Sequence, residues 1–152
     1  MNIVDTSKCI PMMTLKHIEQ AKQAEEHIRT LDRIMCVTQH TLHAGIYSRT
    51  LFMPKGSAVA GVIIQVPTTL ILSGKMAVYI GDDITHIDGY NILPTIGDRK
   101  QVVYAIEDSY ATLLFKTNAK TIEEAEQEMT SEYDRLMSRC SDSVNLVTIT
   151  GV

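Results

Sequence analysis

The chain lacks tryptophan and has only two phenylalanines and four prolines among its 152 residues. A core without large aromatics has to be filled by aliphatic and thioether side chains, and the eight scattered methionines suit that task better than a metal-thioether site. Cysteine is also scarce. Cys9, Cys36 and Cys140 make an odd count with no C-x-x-C spacing, which excludes a disulfide framework and a zinc knuckle. Cys36 stands in the apolar run Ile34-Met35-Cys36-Val37 and is expected as a buried free thiol, in keeping with a reducing cytoplasm. No apolar run approaches the roughly 18 residues of a membrane span. The N-terminus lacks the basic-then-apolar order of a signal peptide. Basic excess is absent too: net charge is −4 and the pI about 5.7. Duplex nucleic acid and anionic membranes, which need a basic face, are therefore not expected partners. No nucleophile elbow G-x-S-x-G, no phosphate-cradling G-x-G-x-x-G and no G-x-x-x-x-G-K-[ST] occurs.

What is present reads as one globular domain over residues 1–152, 45% hydrophobic and 21% charged. Residues 1–13 form an arm. A helix is expected over 14–31, N-capped by Thr14, with Leu15, Ile18, Ala21, Ile28 and Leu31 inside and Glu19, Lys22, Glu25, Glu26 and Arg29 outside. From 34 to 116, short runs rich in Val, Ile, Thr and Tyr alternate with Gly, Pro and Asp breaks. Strands are expected over 34–39, 46–53, 58–66, 69–73, 75–80, 83–87, 90–93, 101–106 and 110–116, with Gly81-Asp82 and Asp88-Gly89 as tight hairpin turns. Thr121 and Glu124 make a capping box for a helix over 121–138. Its buried face is Ile122, Ala125, Met129, Tyr133 and Leu136, and its wet face includes Glu126. Residues 144–149 form a closing strand that pairs with an edge of this chain or of a partner chain. Many short, evenly spaced strands point to a mostly β, antiparallel barrel or sandwich flanked by two helices.

Several pieces of the chain stand in a recognisable order. They are His43-Ala44-Gly45-Ile46-Tyr47-Ser48-Arg49, Pro54-Lys55-Gly56-Ser57, Gly61, Ser73-Gly74-Lys75-Met76-Ala77-Val78, Pro94, Gly97-Asp98-Arg99-Lys100 and Tyr104-Ala105-Ile106-Glu107-Asp108. In that order they resemble a cupin-like family common in bacteriophage genomes, of the RmlC-like jelly-roll type. The resemblance implies an antiparallel jelly-roll barrel, a homodimer, and a place in the host cytoplasm. It also marks a departure. Where such barrels tend to present metal ligands, this chain has Ile64, Thr68 or Thr69, and Leu113-Leu114-Phe115-Lys116. Divalent first-row metals need N or O donors converging within ~2.0–2.2 Å. Neither a metal nor another cofactor is therefore expected, and metal-dependent cupin chemistry loses its support.

The candidate ligand contacts are Tyr47, Arg49, Gln65, Arg99, Tyr104 and His43. Tyr47 and Arg49 share one face of a strand, and an interior arginine is costly unless paired or used. Its planar fork suits carboxylate or phosphate. The competing reading is an outward face, or a salt bridge to Glu107 or Asp108. Arg99 and Lys100 sit in a Gly-led turn that could close over an anion, and turns also carry solvated charges. Gln65, Thr68, Thr69 and Tyr104 are neutral groups able to line a pocket. His40 and His43, three apart on a strand, face opposite sides; one of them near the barrel mouth is a candidate contact, while His17, His27 and His86 are expected in solvent. No second carboxylate can be placed opposite Glu107-Asp108 for acid–base work. The leading reading is a metal-free binding protein for a small anionic or polar ligand, a host nucleotide signal being one version. Its rivals are an interaction module with a filled barrel and a cupin-type enzyme.

Overall fold

The computed structural model describes residues 1–5, 9–32, 34–80 and 83–151. The element order is α1 (Leu15–Ile28), β1 (Val37–His43), β2 (Ile46–Met53), β3 (Ala58–Ala60), β4 (Thr68–Ile80), β5 (Asp83–Thr95), β6 (Val102–Ala105), β7 (Ser109–Lys116) and α2 (Ile122–Met129). Two 3-10 turns at Tyr133–Arg135 and Met137–Arg139 and a last strand, β8 (Val144–Thr150), complete it. The chain is mostly β, as expected, with a helix near either end. The strands form one eight-stranded curled sheet in the order β3-β6-β4-β7-β2-β1-β8, with β5 on the other edge of β4. It is a mixed sheet. All pairings are antiparallel except β1 with β8, which run parallel from Val37 beside Val144 to His43 beside Thr150. The mostly β, largely antiparallel fold is as expected, with this one parallel pair added: the chain reaches the outside of β1 only after crossing through α2 and the 3-10 turns.

The curl has a local cause. β4 pairs with β7 over Thr69–Ser73 and with β6 over Met76–Tyr79, on the same edge. Between the two ladders stand Gly74 (φ +126°) in β4 and residues 106–108 opposite it. A Cβ on Gly74 would lie 2.4 Å from Ser109 Oγ, so only glycine lets the strands approach this closely. The Pro54–Ser57 turn between β2 and β3 lies alongside, tied by Lys55 N–H to Asp108 Oδ1 at 2.8 Å and Gly56 N–H to Ala105 O at 2.8 Å. Three adjacent strand lines therefore bend together, and the sheet folds into a half-barrel with its concave face inward.

Several expected boundaries change. The runs 69–73 and 75–80 are one strand, as are 83–87 and 90–93. Asp88-Gly89 is no hairpin turn: it pairs with Lys75-Gly74 in mid-ladder, because thirteen consecutive β4–β5 pairs override the local turn signal. The Gly81-Asp82 signal lies outside the described residues. The expected strand 58–66 shortens to three residues and 34–39 starts three residues later. α2 stops at Met129, nine residues early, because Thr130 is extended (φ −150°, ψ 145°) and Gln65 N–H takes the Met129 carbonyl at 2.8 Å. Thr121 caps it as expected, accepting from Glu124 N–H at 3.1 Å.

Thr14 caps α1 and accepts from His17 N–H at 3.2 Å. The expected inner face is borne out only in its middle: Ala21 is buried and Ile18 and Ile28 are half-buried, but Leu15 is 87% and Leu31, beyond the helix end, 51% exposed, and the other buried residue is Glu25. Among the described residues no helix is long and apolar enough to cross a membrane. Cys36 is buried as expected, its Sγ 3.8 Å from the Ile34 carbonyl oxygen.

Candidate functional site

The concave face of the sheet does not close on itself. Inward-facing Leu51, Val103, Ala111 and Leu113 sit in mid-strand yet are only partly buried, because they look onto a cavity of about 740 Å³. Ligand sites commonly occupy about 300–1,000 Å³. The wall is largely aliphatic, and the end of α1 with residues 34–36 borders the opening.

Arg99 is one of several charged residues in that lining. It is 2% exposed. Its NH2 donates to Thr68 Oγ1 at 2.6 Å, and that hydroxyl is in turn bonded to Thr95 Oγ1 at 2.7 Å. Thr95 also accepts from Thr68 N–H at 3.2 Å and donates to Thr68 O at 3.0 Å. This small lattice fixes the guanidinium but supplies no charge. Among the described residues no carboxylate pairs with Arg99, and its Nε is buried without a partner. Burial pushes the guanidinium down to about 10, with no acid to hold it up, so it remains a cation at neutral pH. Two residues on, the amide Nε2 of Gln101 is also buried in the cavity wall without a partner. Alternate residues of an extended segment point to one side. Gln101 did not stand out in the sequence; its spacing from Arg99 was the available signal.

Lys100, between them, points the other way. It is 0% exposed, with Nζ 2.9 Å from Glu25 Oε2 and 3.3 Å from Glu132 Oε1. The expectation of a solvated basic turn at Arg99-Lys100 is thus corrected: both cations are buried, one paired and one not.

Tyr47 and Arg49 do face inward, as alternation along β2 requires. Arg49 reaches the cavity wall, but its NH1 is held by Glu126 Oε2 at 2.9 Å and donates to Ser138 Oγ at 3.1 Å. The salt bridge is to Glu126, not to Glu107 or Asp108. Glu126, expected on the wet face of α2, is 1% exposed and also takes Arg139 NH2 at 2.8 Å. Tyr47 lies in the second apolar cluster and bonds His40 Nδ1 at 2.8 Å; His40 Nε2 lies 2.9 Å from Asn145 Oδ1 in β8. This network fastens the C-terminal segment to the sheet.

The other expected contacts scatter. Tyr104 borders the cavity with a 43% exposed side chain. Gln65 is exposed and does not line it. His43 is exposed at the far end of β1, where Nδ1 meets Thr150 O at 3.0 Å and Thr150 Oγ1 at 2.8 Å.

A cupin metal does not fit these residues. Among the described residues no three His, Cys, Asp or Glu side chains converge. Ile64 lines the cavity, Thr68 is spent on Arg99, and both nitrogens of inward-facing His40 are engaged. Arg99 Nε and Gln101 Nε2, unpartnered in the wall, are donors, which a cation cannot use, and Glu25 Oε2 is already 2.9 Å from Lys100 Nζ.

Among solved structures the chain is similar to a cupin superfamily protein from Desulfitobacterium hafniense, at 8% identity, covering 60% of this chain and 87% of that one, with a TM-score of 0.47. It is similar to an RmlC-like cupin family protein with a double-stranded β-helix fold from Methanocaldococcus jannaschii, at 16% identity over 57% and 83% of the two chains, TM-score 0.44. A cupin_2 domain of an XRE family transcriptional regulator from Enterobacter cloacae matches at 9% identity over 56% and 100%, TM-score 0.45. No family model matches the chain, and no curated protein matches it. Likeness at this level says nothing about ligand, metal or activity.

Proposed function

We propose that this protein is a cupin-like binding protein that holds a small anionic ligand inside its half-barrel, with Arg99 as the charge anchor. The observation that carries the reading is an uncompensated, buried guanidinium in the wall of an open cavity. An unpaired charge costs several kcal/mol to bury, and an arriving carboxylate or phosphate returns that energy through short charge-assisted bonds. The filled-barrel reading has to contend with the cavity, and among the described residues the hydroxyl–imidazole pairs Tyr47–His40 and Thr150–His43 lie outside its lining, which leaves an enzyme without support there. Tyr104 at the rim is a secondary contact; Arg49 and Tyr47 serve the walls.

The test is thermal unfolding across a panel of organic acids and nucleotides. A ligand at about a hundred times its Kd adds roughly 2.7 kcal/mol. For a chain of this size that is a Tm rise of about 5–10 °C, and Arg99→Met abolishes it. No shift with any anion contradicts the reading. A homodimer accompanies it, supported by β8, which is exposed at all seven positions and presents Val144, Leu146, Val147 and Ile149. Light scattering should give twice the chain mass of 16.9 kDa; a single chain mass removes the dimer.

A further inference from the structure

Resting on that reading, we infer that the ligand is an amphiphile: one carboxylate on an elongated apolar body, with the head on Arg99 and Gln101 and the body along the aliphatic wall. The pairing of the cavity's arginines comes first; Glu25, Asp32 and Asp142 are the acids of the same lining. Its other arginines are matched within the chain, Arg49 to Glu126 at 2.9 Å, Arg29 to Glu25 at 3.4 Å and Arg135 to Glu26 at 3.1 Å. Arg99 alone among the described arginines of the wall has no acid. One unmatched positive charge calls for one negative charge, whereas a polyphosphate needs several cations around it. The donor count agrees. Arg99 Nε and Gln101 Nε2 are both buried without partners, and a carboxylate brings two acceptor oxygens and no proton. It satisfies both donors and leaves none of its own unpaired.

The aliphatic stretch of the wall sets the body; the other arginines of the lining, Arg29, Arg49 and Arg135, are already held by acids of the chain. Leu51, Leu70, Leu72, Val78, Val103 and Leu113 offer no hydrogen-bonding group to a sugar or a base. Sugars and bases carry polar groups that this surface would leave unpaired, which is costly. An alkyl or aryl chain loses nothing there and gains from each carbon removed from water.

The experiment is calorimetric titration of the full chain with hexanoate, octanoate, decanoate and dodecanoate, beside decanol, acetate and ATP. The expected result is one site per chain, with affinity rising roughly fourfold per added methylene. Decanol should bind at least tenfold more weakly than decanoate, and Arg99→Met should erase that difference. Ala111→Leu narrows the cavity without touching Arg99, and should weaken dodecanoate while sparing hexanoate. ATP binding without decanoate overturns the amphiphile and leaves the anion anchor standing. Decanol equal to decanoate in the wild type overturns the head assignment. No binding by any probe overturns this inference and the function proposed above together.

Discussion

His40 sets the acid response of the molecule. Asn145 Nδ2 donates to Ser138 O at 2.9 Å, which leaves Oδ1 as the acceptor facing His40 Nε2. Nε2 therefore carries the hydrogen, and Nδ1 accepts from the Tyr47 hydroxyl. Burial pushes that phenol up to about 12, so it keeps the proton it donates. Burial likewise holds the His40 pKa below 6.5, helped by Arg49 and Arg139 and opposed by Asn145 and Glu126. The unfolded chain then binds this proton more readily than the folded one. Stability contributed by neutral His40 is complete above 6.5 and falls as pH drops through the window down to the lowered folded value. Denaturant midpoints measured from about pH 7.5 to about pH 5 should decline, and His40→Gln should flatten the slope. Identical slopes in the two proteins would remove His40 from the explanation.

Elements in this chain are held as much by buried ion pairs as by apolar stripes. α1 docks through Glu25 on Lys100, so Glu25→Ala should cost about 3 kcal/mol by leaving an under-compensated buried ammonium. Leu15→Ala, on an 87% exposed side chain, should stay within about 0.5 kcal/mol. Chemical denaturation of both variants checks the contrast, and a reversed order contradicts it. Gly74→Ala should cost at least about 2 kcal/mol in the same assay, since the new Cβ meets Ser109 Oγ at 2.4 Å and its Cα at 2.8 Å at a φ of +126°; a neutral result would mean that β4 and β7 can separate at the bend without loss. Such features decide what was legible in the sequence. β2, the two helix caps and the shared face of Tyr47 and Arg49 follow from local periodicity and capping, whereas periodicity leaves open which side of the sheet that face meets. Glu25 and Glu126 were placed in solvent because periodicity counts a carboxylate as polar and has no means of seeing the cation that will meet it. Gly74 and Asp88-Gly89 read as breaks in the sequence because a turn signal and a strand bend use the same residues. What decides between them is the thirteen-pair β4–β5 hairpin as a whole, whose length no single residue signals.

At the scale of the whole molecule, the bend shared by β4, the β6–β7 line and the β2–β3 corner creates the concavity, and the aliphatic strands leave it unfilled. The sequence offers Arg99 as an anion contact in a basic turn, with solvation as the alternative; its isolation from every carboxylate among the described residues is a property of the assembled sheet. The central claim is that this guanidinium serves a ligand and not the fold. Thermal unfolding of Arg99→Met without ligand, beside wild type, tests it most directly. Replacing an uncompensated buried charge by an apolar side chain of similar length should leave the protein equally stable or more so, with its response to anions gone. A variant that melts several degrees below wild type, or that anions still stabilise, would contradict it.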